Sequence, residues 1–279
     1  MIRLTLILVV LLSLFSCRPK SLEIDVKSAE PKLVAFTHIV PNNIMLVALS
    51  KTFSVLDGNT SEDFDSLLVT GATVQIKFDN QVFDFYELSP GIYASFTEAY
   101  QVDKDYELIA YYGKDTIRST TKMLPKIDFK TILPSVEKLA ADTNIYLNLK
   151  FDDLPNVSNW YLINIYRKQT GAGSMDNVNY FLNGSNALAK SILVSDKEFS
   201  GTYSSNLLMN ELHHKDSIVV TLSNINEAYF NYLNFKVGGG SVLNQLNIEP
   251  VNFPTNITNG YGFFNTHFPD IKYFDLGQF

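Results

Sequence analysis

The chain has 279 residues and a formal charge of −7, with one cysteine and no Lys/Arg cluster. That balance argues against nucleic acid as a partner and against electrostatic docking on anionic lipid, and a lone cysteine rules out an internal disulfide framework. The length suffices for one large or two ordinary domains with cores of their own, and 20 Phe and 15 Tyr fit either β-sheet surfaces or an AT-rich coding sequence.

The first element is an export signal. Arg3 gives a positive start, and residues 4–15 are apolar apart from Thr5 and Ser13. Ser16 then stands directly before Cys17. A charged start, a short apolar run and a small residue make a secretory signal; a spanning helix needs ~20 apolar residues. Cys17 sits where a bacterial lipoprotein signal places its lipidated residue, although Phe15 is bulkier than usual two positions before it. The expectation is a signal over residues 1–17 with Cys17 acylated, the lipid holding the chain to a membrane. An ordinary secretory signal with a coincidental cysteine is the alternative. Polar residues 18–30 read as a tether.

Residues 31–124 read as short strands between turns. Strands are predicted over residues 32–40, 44–49, 72–78, 81–88, 92–96, 106–112 and 116–121. Val74, Ile76 and Phe78 share one face. Turns fall at Asn42-Asn43, Asp79-Asn80, Ser89-Pro90-Gly91 and Gly113-Lys114-Asp115, with a polar loop over residues 57–65. This spacing predicts an immunoglobulin-like β-sandwich.

Leu124-Pro125 and Pro134 bracket a low-periodicity segment taken as a domain boundary. Residues 125–279 are predicted as a second β-rich domain with one short helix, which makes the fold class all-β. Ile145, Leu147, Leu149 and Phe151 alternate on one strand. Residues 160–167 are apolar on both faces and predict a central strand. Residues 217–223 form another. Asn224-Ile225-Asn226-Glu227 has the form of a capping box. Ile225, Ala228, Tyr229, Tyr232 and Leu233 then fall at helical spacing, and Gly238-Gly239-Gly240 ends the helix. Closing strands are expected at residues 262–264 and 271–274.

The search for chemistry returns little, and no catalytic residue, metal site or cofactor is expected. None of His38, His213, His214 and His267 has the spacing of a zinc hydrolase, and neighbours on a strand point to opposite faces, which separates His213 from His214. Asp57, Asn59, Glu62, Asp63 and Asp65 lack the order of a calcium loop. Asp152-Asp153 reads as a turn. Tyr180, Phe181, Asn183, Tyr261 and Phe264 could supply a ligand surface, with burial in a core as the competing explanation; the ligand-binding residues stay unknown.

A set of short motifs completes the reading. It comprises the cysteine signal, Ala29-Glu30-Pro31-Lys32-Leu33-Val34, Gly71-Ala72-Thr73-Val74 and Ser89-Pro90-Gly91-Ile92-Tyr93. To these add residues 196–201, Pro254-Thr255-Asn256-Ile257 and Gly260-Tyr261-Gly262-Phe263-Phe264. In order and spacing the set resembles the Bacteroidota lipoprotein family catalogued as domain of unknown function 4249. The resemblance implies an outer-membrane lipoprotein, often encoded beside TonB-dependent receptors, and carries over no catalytic residue. The expected role is a non-catalytic accessory subunit of an outer-membrane β-barrel complex such as a TonB-dependent transporter. A stand-alone glycan- or peptide-binding surface lipoprotein is the alternative, and an enzyme of unknown chemistry a further one. Cell-surface placement is expected, with the periplasmic leaflet as the alternative, since Glu23 and Asp25 make only a thin acidic export signal.

Overall fold

The computed structural model describes residues 30–40, 44–53, 66–95, 101–138, 143–168, 188–210, 212–239 and 254–279. Among them run fifteen strands and one α-helix. The first seven strands are β1 (Leu33–Val40), β2 (Ile44–Lys51), β3 (Thr73–Phe78), β4 (Gln81–Ser89), β5 (Ile92–Ser95), β6 (Asp105–Tyr112) and β7 (Asp115–Lys122). Then come β8 (Thr131–Lys138), β9 (Thr143–Asp152), β10 (Trp160–Lys168), β11 (Leu188–Ser195), β12 (Thr202–Leu208) and β13 (Ser217–Ile225). Helix α1 (Glu227–Gly239), β14 (Tyr261–Phe263) and β15 (Asp270–Asp275) complete the order. The expected all-β class holds, with one α-helix among the described residues. Cys17, the expected signal and the expected polar loop over residues 57–65 lie outside the described residues.

The N-terminal strands form one eight-stranded sheet in the order β14-β1-β2-β5-β4-β3-β6-β7. It curls, with a register shift in β4 between Glu87 and Ser89, and its inner face gathers a single core. Val74, Ile76 and Phe78 point into that core as expected, beside Ala35, Val47, Leu108 and Ile117. The two edges are joined by a segment from the far end of the chain. Thr258 exchanges backbone hydrogen bonds with Arg118 of β7 at 2.7 and 3.3 Å, and β14 then pairs in parallel with β1. Joining the edges covers backbone groups that would otherwise template foreign strands. Gly262 makes the closure possible. Its φ is +109°, and a Cβ there would lie 1.9 Å from the Ala35 carbonyl oxygen.

The remaining strands form two facing sheets. One is four-stranded, β11-β10-β13-β15, and the other three-stranded, β12-β9-β8. Ile145, Leu147, Leu149 and Phe151 of β9 pack against Tyr161, Ile163 and Ile165 of β10 in a second core. β10 is interior to its sheet, as its two apolar faces predict. The chain passes from the first core at Met123 to the second at Ile127 and Phe129. It returns at Ile257 and Phe264, which lie in the first core, and goes back to the second with β15 and Leu276; the chain therefore passes between the two units three times.

Three local readings need correction. Pro134, expected in an irregular segment, lies inside β8 opposite Leu147. β8 is an edge strand, where a missing N–H is tolerated. The strands β11 and β12 carry no clear alternation and were not expected. The helix start also moves. Asn224 is the buried penultimate residue of β13 and donates from Nδ2 to Pro125 O at 3.2 Å. Asn226 is the actual N-cap, its Oδ1 accepting from Tyr229 N–H at 2.8 Å, two residues later than the capping box suggested.

A cavity between the sheet units

Strand alternation accounts for the site. Leu33, Ala35 and Ile39 of β1 face the first core, so Phe36 and His38 face outward. Tyr161, Ile163 and Ile165 of β10 face the second core, so Leu162 and Asn164 face away from it. On this outer surface α1 packs its tyrosines. Tyr229 and Tyr232 form a third apolar cluster with Leu162, Ile225 and Phe263 of β14. Phe36 meets Tyr232 with ring centroids 6.2 Å apart. The helix therefore fills the space where the two sheet units turn their outer faces toward each other.

The filling is incomplete. A cavity of about 380 Å³ remains, with Phe36, His38 and Ala48 on one wall and Leu162, Asn164 and Ser191 on the other. Tyr229, Tyr232 and His267 also line it. Volumes of about 300–1,000 Å³ are typical of small-molecule sites. Asn164 and Ser191 are joined, Ser191 Oγ donating to Asn164 Oδ1 at 2.7 Å.

His267 is the most perturbed group there. It is 5% exposed, and burial first, with His38 second, pushes its pKa down to about 3. It is therefore neutral at pH 7. Its ring stacks on Tyr229 with centroids 6.2 Å apart, and its proton can be assigned. Tyr229 N–H is an obligatory donor, so the Asn226 atom that accepts it is Oδ1. Asn226 Nδ2 then donates to Thr121 Oγ1 at 3.0 Å and to Asn265 Oδ1 at 2.7 Å. That leaves Asn265 Nδ2 to donate to His267 Nδ1 at 3.1 Å. Nδ1 is an acceptor, so the neutral ring carries its proton on Nε2. Asn265 is itself clamped to β1. Thr37 Oγ1 donates to its carbonyl at 3.0 Å and accepts from its N–H at 2.9 Å.

The residues singled out in sequence are scattered. Phe264 is fully buried in the first core. Tyr261 is 46% exposed with the Lys32 ammonium 5.7 Å from its ring centre. Tyr180, Phe181 and Asn183 lie outside the described residues. His213 and His214 are exposed just before β13, where the Asp216 carboxylate accepts from His213 N–H at 2.8 Å. Asp152 accepts from Thr202 Oγ1 and Lys130 Nζ, whereas Asp153 accepts from Tyr161 Oη and Asn159 Nδ2. Both carboxylates thus hold neighbouring strands and turns in place. Among the described residues no group of three or more His, Cys, Asp or Glu is placed to hold a metal ion.

Sequence reasoning weighed His38 and His267 as metal ligands and found no reason to bring them together. The available signal was the pair Phe36 and His38 on the outer face of a strand whose inner face is already apolar.

No curated protein matches the chain in sequence. The family profile described as Domain of unknown function (DUF4249) matches residues 20–267 of the 279, and the chain belongs to that family.

Proposed function

We propose that this chain is a non-catalytic outer-membrane lipoprotein that serves as an accessory subunit of an outer-membrane β-barrel complex. The observation that carries the reading is the apolar N-terminal run ending at the lone Cys17, followed by a polar tether and an all-β body of this family. Two or three acyl chains on Cys17 give durable attachment, where a single chain would hold only reversibly. The family resemblance favours a TonB-dependent transporter as the barrel and the cell surface as the location, with the periplasmic leaflet second.

Palmitate labelling and membrane fractionation test the anchor. The native chain incorporates label and sediments with the outer membrane, and Cys17→Ala does neither. Cys17→Ala that stays in the membrane fraction with unchanged precursor processing contradicts it. On a native gel of mild-detergent extracts, the lipoprotein should migrate far above the 31.4 kDa of even the unprocessed chain; migration at the monomer position contradicts a stable complex.

A second reading, direct binding of a ligand by this chain, is favoured by the cavity between the sheet units. The two readings are compatible, since an accessory subunit can itself hold the cargo.

A further inference from the structure

The chemistry of the cavity wall selects among ligands. Among the described residues lining it there is no Asp, Glu, Lys or Arg, and burial keeps His267 neutral at pH 7. A charged ligand would lose its hydration there without a counter-charge. The polar groups include the Tyr229 and Tyr232 hydroxyls, and several of the others are already committed. Ser191 and Asn164 bond to each other, and His38 stands edge-on to the Tyr166 ring with centroids 6.5 Å apart. His267 Nδ1 is taken by Asn265, which leaves Nε2–H as the donor this ring has to offer. Apart from the Tyr229 and Tyr232 hydroxyls and the Thr37 hydroxyl held by Asn265, the rest of the wall is aromatic or aliphatic. A saccharide would bring several hydroxyls into a site with too few partners for them, and each one left unpaired weakens binding.

We infer that the cavity binds an uncharged, mainly apolar small molecule bearing one acceptor oxygen, which receives the Nε2–H of His267. The volume of about 380 Å³ suits a molecule of two or three rings rather than a polymer chain. This inference rests on the direct-binding reading and is independent of the accessory-subunit reading.

Benzophenone has the required properties: two aromatic rings, no charge and one carbonyl oxygen. On illumination it also attaches to nearby C–H groups. 4-Benzoylbenzoate is the same molecule with a carboxylate added. The full chain in detergent is illuminated with each, and the labelled peptides are read by mass spectrometry. The expected result is saturable benzophenone labelling of peptides holding Leu162, Leu233 or Phe263. Labelling by the carboxylate should be weaker by about tenfold or more. Ala48→Trp, which places an indole in the cavity, should abolish it.

Equal labelling by the two compounds, or labelling that Ala48→Trp leaves unchanged, overturns the assignment. So does an unlabelled wild type, a result that depends on no variant folding. If benzophenone fails while maltose raises the melting temperature of the wild type and not of Ala48→Trp, the ligand class is wrong and direct binding stands. If both probes fail, direct binding fails with it.

Discussion

Asn226 and Asn265 are joined by a 2.7 Å hydrogen bond that links a helix N-cap to a buried histidine. Asn226 caps α1 with its oxygen and uses its nitrogen to orient Asn265, which in turn sets the tautomer of His267. One side chain thus connects the helix start, strand β7 through Thr121, and the cavity.

Two substitutions separate these roles. Asn226→Ala removes the cap and the relay together. Asn226→Asp keeps a cap acceptor, and its charge suits a helix N-terminus. It offers Asn265 Oδ1 no donor, however. We expect Asn226→Asp to lose about 1–3 kcal/mol in urea unfolding, despite its intact cap. Wild-type stability for Asn226→Asp would mean that the cap alone matters.

His267 predicts an acid sensitivity. Its folded pKa of about 3 lies below the unfolded value of 6.5, so the unfolded chain takes up the proton first as pH falls. The stability it contributes is complete above about pH 6.5 and is lost progressively toward pH 3. The loss runs at up to about 1.4 kcal/mol per pH unit, with an upper limit of ~5 kcal/mol over the window. His38 and Tyr229 neighbour the ring and Tyr232 lines the same cavity, and of these only His38 is of a type that titrates in that range. Urea unfolding at pH 7.5 and 5.5 should show the loss in the wild type and a shallower slope in His267→Gln. Equal slopes would contradict a buried neutral His267.

Gly262→Ala tests the closure of the eight-stranded sheet. The added Cβ would collide with the Ala35 carbonyl, at a φ that side chains rarely adopt. We expect a loss of about 3 kcal/mol or more, seen as a Tm lower by roughly 6–12 °C. Faster amide exchange along β1 should accompany it. An unchanged Tm would show that β14 does not hold the sheet.

Much of the fold was legible because its signals are local. Val74, Ile76 and Phe78 alternate, and so do Ile145, Leu147, Leu149 and Phe151, and both sets face a core. The helix was visible in the spacing of Tyr229, Tyr232 and Leu233. Its cap was misplaced because Asn224 and Asn226 have the same capping chemistry. Pairing decided between them: Ile225 is still bonded to Trp160 of β10, so the strand ends only there. β12 escaped notice because its alternate residues are only half-buried, which leaves the sequence without a strong apolar period.

The cavity was not legible, for a physical reason. Thr37 and Asn265 hydrogen-bond across 228 positions, and His38 and His267 come together only through that clamp. No local pattern encodes such an approach. The parallel pairing of β14 with β1 is a contact of the same kind.

The central claim is that the chain works as part of an outer-membrane complex. The most direct measurement is an affinity pull-down of the tagged native lipoprotein from its own membrane in mild detergent, read by quantitative mass spectrometry. The account predicts stoichiometric recovery of an outer-membrane β-barrel, a TonB-dependent transporter above all. Recovery of the lipoprotein alone would contradict it.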